Sequence, residues 1–431
     1  MRVDLRYGRG TLPVEIPERN LVAILRKKEV EPLPDPEGEV ERALSEPIGA
    51  KPLSDIARGR RDACVVISDI TRPVPNKVIL PPLLRALEEC GIPRERITIL
   101  VATGMHRPTT DEELDWVVGE EIRRAYRIVN HNAKDESNLV YLGETSLGTP
   151  IWLNKLFYES DLKVLTGLIE PHFMAGYSGG RKAVCPGLVG VETMKVFHGP
   201  RHLEDPRAEA GILEGNPLHL DATEIARRAG VDFIVNVAVD EKRRVVGVFA
   251  GDLEEAFVEG VRFVEGCVKV EVSEPADIIV TSAGGYPLDA TFYQTVKAMV
   301  VPLPAVKEGG TIIVASSLSE GIGGPEYTET LLSIDDIHKF TERLWESGFF
   351  ILDQWEIEEQ AKALRKAKVM LYSDGLGAET LSKLFVEPVA SVEEGIERVL
   401  SEHGPDARII AIPEGPYVMP VLAPKRARGI P

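Results

Sequence analysis

The sequence predicts an α/β protein built of two αβ domains with largely parallel sheets. Three observations predict it. At 431 residues the chain exceeds the roughly 250–300 residues at which a single hydrophobic core stops growing. Short apolar runs ending in polar residues alternate with stretches of helical length, the pattern of parallel strands buried on both faces. That alternation restarts beyond Gly266. We therefore expect an N-terminal domain over 1–268 and a smaller C-terminal αβ domain over 269–404. The segment 405–431 is compatible with either, and packs back on the first domain in one arrangement.

The elements follow in order. Ala63–Ser68 is an apolar strand that ends in Asp69. A helix from Val78 to Cys90 is stopped by Gly91 and Pro93. Ile97–Ala102 is a second strand, leading into Thr103-Gly104-Met105-His106-Arg107, and Leu162–Ile169 is a third, leading into Glu170-Pro171-His172. Open α/β sheets bind ligands at the carboxyl ends of their strands. Asp69, Arg72, His106 and His172 are thus expected at one crevice. In the second domain, Asp277–Ser282, Gly310–Ala315 and Lys368–Tyr372 read as strands, with a helix ending near Met299. Helices over Ala256–Val264 and Val392–Leu400 bracket that unit, and Arg408–Ile412 is the final strand.

Composition removes several classes of function. A net charge of −18 argues against a general nucleic-acid binder and against an anionic membrane surface. No apolar run reaches the ~18 residues that span a bilayer, and the first residues carry no signal-peptide core. Cys64, Cys90, Cys185 and Cys267 are widely spaced and read as reduced thiols. These features lead us to expect a cytoplasmic protein.

The densest chemistry lies between Gly167 and His198. Gly179-Gly180 allows a tight turn, and Arg181-Lys182 follows where a helix start would favour an anion. His172 and His198 supply imidazoles for proton transfer or metal binding. Histidines in loops are more often surface or hydrogen-bonded groups than catalysts, and His131, His338 and His403 take that reading. His106 and His172 differ because each directly follows a buried strand. Lys182 would ordinarily be a solvated helix-start lysine, whereas behind Tyr177-Ser178-Gly179-Gly180 it reads as a ligand contact. Cys185 reads as a small core residue. Gly180-Arg181-Lys182-Ala183 lacks the Gly-Lys-[Ser/Thr] of a phosphate-binding P-loop. A zinc site from His198, His202 and His219 is compatible with the spacing, although Gly199 and Pro200 interrupt any regular helix between the first two.

Taken together, the blocks are recognisable. Ser68-Asp69-Ile70-Thr71-Arg72-Pro73-Val74-Pro75, Gly104-Met105-His106-Arg107-Pro108, Glu170-Pro171-His172 through Gly187, His198, Gly215-Asn216-Pro217-Leu218-His219 and Tyr293-Gln294-Thr295-Val296-Lys297 come in the order of one family. The chain resembles the lactate racemases that use a nickel-pincer nucleotide. The resemblance implies a cofactor in the cleft between two domains, a pyridinium-3,5-bisthiocarboxylic acid mononucleotide holding Ni(II). It implies covalent attachment at Lys182, with Arg181 or a nearby helix N-terminus keeping that amine reactive. His198 becomes the protein's nickel ligand, a neutral imidazole suiting Ni(II). Asp69, Ile70, Thr71 and Arg72 become cofactor contacts. Arg72, Gln294 and Lys297 become substrate contacts, the last two sharing a helix face at i, i+3.

The implied reaction is the racemisation or epimerisation of a 2-hydroxy acid by reversible hydride transfer. His106 and His172 serve as opposed general acid–base groups that exchange the hydroxyl proton on the two faces. The expected partners are a small 2-hydroxy carboxylate and the enzymes that build and load the cofactor, with no nucleic acid or membrane. The resemblance leaves the substrate's side chain open: a further cation in the pocket would favour a dicarboxylate, an apolar pocket lactate or a longer acid. Tyr293 and Trp355 fall where family members place aromatic residues near the site. Two other readings remain at this stage. One is a zinc-dependent hydrolase using the histidine cluster, and the other is a protein that carries the cofactor without turning over substrate.

Overall fold

The computed structural model describes residues 1–423, which form two compact units. One is Glu29–Cys267; the other joins Met1–Lys28 to the chain from Val268 onward. Each is an α/β unit around a six-stranded sheet.

In the unit Glu29–Cys267 the sheet runs Val245–Gly251, Phe233–Val239, Leu162–Leu168, Ala63–Ser68, Ile97–Ala102, Arg127–Asn130. The first pair is antiparallel and every other neighbouring pair is parallel. These strands are apolar along their whole length because helices cover both faces, so inward and outward positions alike are buried. Val65, Ile67, Ile99, Val101, Val164 and Val235 all lie in one core. The helix Asn76–Glu89 lays Ile79, Leu80, Leu83, Leu84 and Leu87 on that core. From Ala63–Ser68 the sheet grows to one side through the next two strands in sequence, while Leu162–Leu168 joins on the opposite side. The chain order therefore reverses between Ala63–Ser68 and Leu162–Leu168. At such a switch point the loops leaving the carboxyl ends diverge and leave a crevice. Those loops begin with Asp69 and with Ile169–His172.

The other unit is centred on a wholly parallel sheet, Glu387–Pro388, Ala367–Tyr372, Val306–Ala315, Ala276–Ser282, Ile409–Ile412, Leu21–Ile24. Its core includes Val280, Ile313, Met370, Ile396 and Ile409.

Three expectations are corrected here. Residues 1–28 do not belong with the N-terminal domain: Leu21–Ile24 extends the second sheet beside Ile409–Ile412, and the hairpin Arg2–Tyr7 with Gly10–Glu15 puts Val3, Leu5, Val14 and Ile16 into the second core. The strand Ile409–Ile412 sits inside that same sheet, paired with Ala276–Ser282, so the segment from 405 does not pack back on the first domain. Residues 424–431 of that segment lie outside the described residues. The helix expected to bracket the second unit, observed as Glu255–Val268, belongs up to Cys267 to the first. Hydrophobic periodicity reports which face of an element is buried, not which sheet it is buried against.

Candidate active site

The turn after Ala63–Ser68 folds around its first residue. Asp69 Oδ1 accepts from the Thr71 amide at 3.1 Å and from the Thr71 hydroxyl at 2.5 Å. Its other oxygen, Oδ2, lies 2.6 Å from Nδ1 of His106. Asp69 is buried, whereas the His106 side chain is 46% exposed. Burial pushes the Asp69 carboxyl upward, but the hydrogen bond and charge of His106, the Thr71 hydroxyl and the Arg72 guanidinium outweigh it and hold the group below its ordinary value. Asp69 is therefore a carboxylate, and a carboxylate only accepts hydrogen bonds. The proton between them consequently sits on His106 Nδ1, leaving Nε2 as the basic nitrogen. Arg72 is half-buried in the same turn, Ile70 packs on the core below, and Thr71 is exposed.

His106 follows a strand end too, Ile97–Ala102. Its loop is tied to the lysine loop by main-chain bonds: Gly104 N donates to Gly187 O at 3.0 Å, and Gly187 N to Lys182 O at 3.2 Å.

His172 lies in a two-residue ribbon, Pro171–His172 against Gly176–Tyr177. The ribbon needs Gly176: at φ +76 it is left-handed, and a Cβ there would stand 2.4 Å from the Ile212 carbonyl oxygen. The amides of Met174 and Ala175 both donate to His172 Nδ1 at 3.3 Å. Ser178 Oγ donates to Leu168 O at 2.7 Å and accepts from the Glu170 amide at 3.1 Å, closing the loop back on its strand. Asn236, from the neighbouring strand, accepts from the Gly180 amide at 2.9 Å. Asn216 caps the helix Pro217–Ala229 and reaches the Met174 carbonyl at 2.9 Å.

Lys182 is half-buried in the short helical turn Gly180–Ala183. His198, at the end of the helix Val191–Phe197, is 7% exposed and packs against the Phe197 ring. Burial holds its basicity well below the usual range, and the charges of Lys182 and His202 act in the same direction. His198 is thus a neutral imidazole in the electrostatic reach of Lys182, the form that ligates a metal.

Two expectations change at this point. Arg181 is not presented to an anion at a helix start: it is 1% exposed, with its guanidinium directed into the loop. Nor does the three-histidine zinc arrangement assemble. His202 Nε2 is taken by Asp221 Oδ2 at 2.9 Å and His219 stacks on Phe257. No group of three or more His, Cys, Asp or Glu side chains among the described residues is placed to hold a metal. His131, read as an ordinary hydrogen-bonded histidine, is one, bonded to Val189 O and Asn154.

The structure brings Asp69 and His106 into direct contact. It sets His172 and Lys182 on one loop and puts Lys182 within electrostatic reach of His198, all in the unit Glu29–Cys267. Gln294 and Lys297 belong to the other unit, on the helix Phe292–Val300 that starts at its cap Thr291. Lys297 Nζ donates to Gln294 Oε1 at 2.5 Å, and Trp355 Nε1 donates to the hydroxyl of Tyr293 at 3.0 Å. Sequence reading missed Asn236, Ser178 and the role of Arg181. A lone asparagine inside Phe233–Val239 was the available signal for the first, since a buried polar group in an apolar strand needs a partner.

Comparison with known proteins gives the family. Residues 7–211 match the model of the lactate racemase N-terminal domain, and residues 271–420 match that of the lactate racemase C-terminal domain. A lactate racemase of Thermoanaerobacterium thermosaccharolyticum is 35% identical over 421 residues, covering 97% of this chain and 98% of that protein. One from Lactiplantibacillus plantarum is 36% identical over 418 residues, covering 96% and 98%. The solved apoprotein of the first superposes with a TM-score of 0.92 over 97% of this chain and 100% of that chain. The chain belongs to the lactate racemase family and is a racemase.

Proposed function

We propose that the protein inverts C2 of a small 2-hydroxy carboxylate, lactate or a close relative, with His106 and His172 handling the hydroxyl proton. The observation that carries this reading is the site at the switch point: a histidine backed by a buried carboxylate on one loop, and a second histidine on the loop that bears Lys182. Membership of the family is consistent with a nickel-dependent cofactor. The residues present fit one, since His198 is a buried neutral imidazole beside Lys182. We assign the finer identity, a nickel-pincer nucleotide held covalently by Lys182 and through nickel by His198, with Asp69, Ile70, Thr71 and Arg72 around it. When bound, that group supplies the acceptor and donor of hydride for C2.

The remaining work falls to the chain. We assign substrate contacts to Arg72, whose bidentate fork suits a carboxylate, and to Gln294 and Lys297. His106 Nε2 takes the hydroxyl proton as C2 is oxidised, and Asp69 stabilises the imidazolium that forms. His172 serves the opposite face. Loading requires the enzymes that build the cofactor.

The test is intact-mass and nickel analysis of protein co-expressed with those enzymes, followed by chiral analysis of D- and L-lactate and related acids. A mass increment at Lys182, stoichiometric nickel and interconversion of the enantiomers support the reading. An unmodified chain carrying zinc and no racemisation would overturn it.

A further inference from the structure

Arg181 is a buried cation in the unit Glu29–Cys267. It is 1% exposed, and burial alone lowers its affinity for the proton until the group titrates at about 9. It makes no ion pair with a carboxylate among the described residues, although a buried charge is normally paired. Its guanidinium instead bonds main-chain carbonyls: Ala175 O at 2.9 Å, Tyr177 O at 3.0 Å and Gly179 O at 3.4 Å. One face lies 4.2 Å from the centre of the Phe257 ring. A guanidinium holds its donors in a fixed planar fork spread over two terminal nitrogens, whereas an ammonium gathers three rotatable donors at one point.

The clamp leads to His172. Ala175 gives its carbonyl to Arg181 and its amide to His172 Nδ1, and the Met174 amide points at the same nitrogen. A main-chain amide can only donate, so Nδ1 of His172 holds a lone pair. In a neutral imidazole the proton is then on Nε2. His106 is the reverse: Asp69 accepts a hydrogen bond from its Nδ1–H, which leaves the lone pair on Nε2.

We propose that Asp69 and Arg181 are positioning residues that lock the two proton-handling histidines in opposite tautomers. Asp69 acts on His106 directly, and Arg181 acts on His172 through the main chain of Ala175, whose carbonyl it holds and whose amide faces Nδ1. At rest the pair is unequal: His106 presents an acceptor at Nε2 and His172 presents an N–H donor. An oxygen between them is offered one group that takes a proton and one that gives a hydrogen bond. His172 becomes a proton acceptor at Nε2 only when Nδ1 has gained a proton and the Met174 and Ala175 amides have let go. The inference rests on the assignment of His106 and His172 above.

The test uses the apoprotein labelled with nitrogen-15 histidine, at a pH of about 8, above the ordinary imidazole pKa. Long-range proton–nitrogen correlation spectra report which ring nitrogen carries the proton, and His106→Gln and His172→Gln identify the two sets of signals. The expected result is a protonated Nδ1 in His106 and a protonated Nε2 in His172. The same tautomer in both would overturn the proposal, and this measurement requires no substitution at Arg181. In Arg181→Lys, which keeps the charge without the fork, the His172 pattern should shift to a tautomer mixture while that of His106 stays. Arg181→Ala should lose the pattern and regain it with millimolar guanidinium. In the loaded enzyme its kcat should fall about 100-fold, with KM kept. An unchanged His172 spectrum in folded Arg181→Lys removes Arg181 from the role. Should His106→Ala and His172→Ala both still racemise, it is the underlying assignment that fails, whatever the tautomers are.

Discussion

The stability of the unit Glu29–Cys267 should fall as the pH drops below neutrality, and His131 gives a way to measure why. His131 is 2% exposed, and burial lowers its pKa from 6.5 to about 4, against a smaller opposing effect from the Val189 carbonyl. Nε2 bonds that carbonyl at 3.1 Å, and Nδ1 faces the Asn154 amide nitrogen at 3.0 Å. The neutral ring satisfies both partners, donating through one nitrogen and accepting through the other. A proton added to Nδ1 would collide with the Asn154 donor. The unfolded chain takes that proton near pH 6.5 and the folded one near 4, so the unfolded state binds more protons in between. Stability from this group is complete above about 6.5 and declines as the pH falls towards 4. The gap corresponds to about 3 kcal/mol at about 1.4 kcal/mol per pH unit, of which about 2 kcal/mol is lost by pH 5.

The perturbation is His131→Gln, whose amide retains one donor and one acceptor but cannot titrate. Urea unfolding of the apoprotein, followed by circular dichroism at about pH 7.5 and 5, gives four free energies. The substitution has its own cost at both pH values, and that cost cancels in the double difference. His198 and His219, also held below the ordinary histidine range, the latter to about 3, contribute equally to both proteins and cancel as well. The variant should lose about 2 kcal/mol less than the native protein between the two pH values. An equal loss in both would mean that His131 accepts its proton within the fold, and the argument from burial would be wrong.

Other expectations follow from the same geometry. Lys182→Ala should abolish covalent loading, while His198→Ala keeps the adduct and releases nickel; intact mass and metal content of each variant decide this. Asp69→Asn should retain the fold and the cofactor yet reduce racemisation by about 10²–10⁴-fold, because an amide neither fixes the His106 proton nor stabilises its imidazolium; kinetics on the loaded variant measure it. Asn216→Ala removes a fully buried cap that accepts from the Leu218 amide and donates to the Met174 and Ile212 carbonyls. The cost should be about 3 kcal/mol, from the lost cap and stranded carbonyls, read as a lowered urea midpoint.

What could be read from the sequence was whatever is written locally. An unbroken apolar run is intelligible without its neighbours, so the strands Ala63–Ser68, Ile97–Ala102 and Leu162–Leu168 were legible, and with them the polar residues at their ends. Gly179-Gly180 announced a tight turn, and the ordered blocks from Ser68 to Lys297 carried the family and its chemistry. What depended on chain segments meeting was not legible. Asp69 and His106 are 37 positions apart and become a pair only because their strands are adjacent and parallel in register, Ser68 beside Ala102. Residues 1–28 joined the second sheet because its edge beside Ile409–Ile412 was open to a strand, which no periodicity within Leu21–Ile24 could reveal. Arg181 beside Lys182 looked like a surface for an anion, yet the closing loop folded its guanidinium inward onto carbonyls that only tertiary structure brings together. The sequence by itself determined which groups were present and the order in which the chain delivers them. Only the tertiary structure decided which of them touch, and with that which nitrogen of His106 and of His172 carries the proton, because hydrogen bonding depends on distances of a few tenths of an ångström between atoms far apart in the chain.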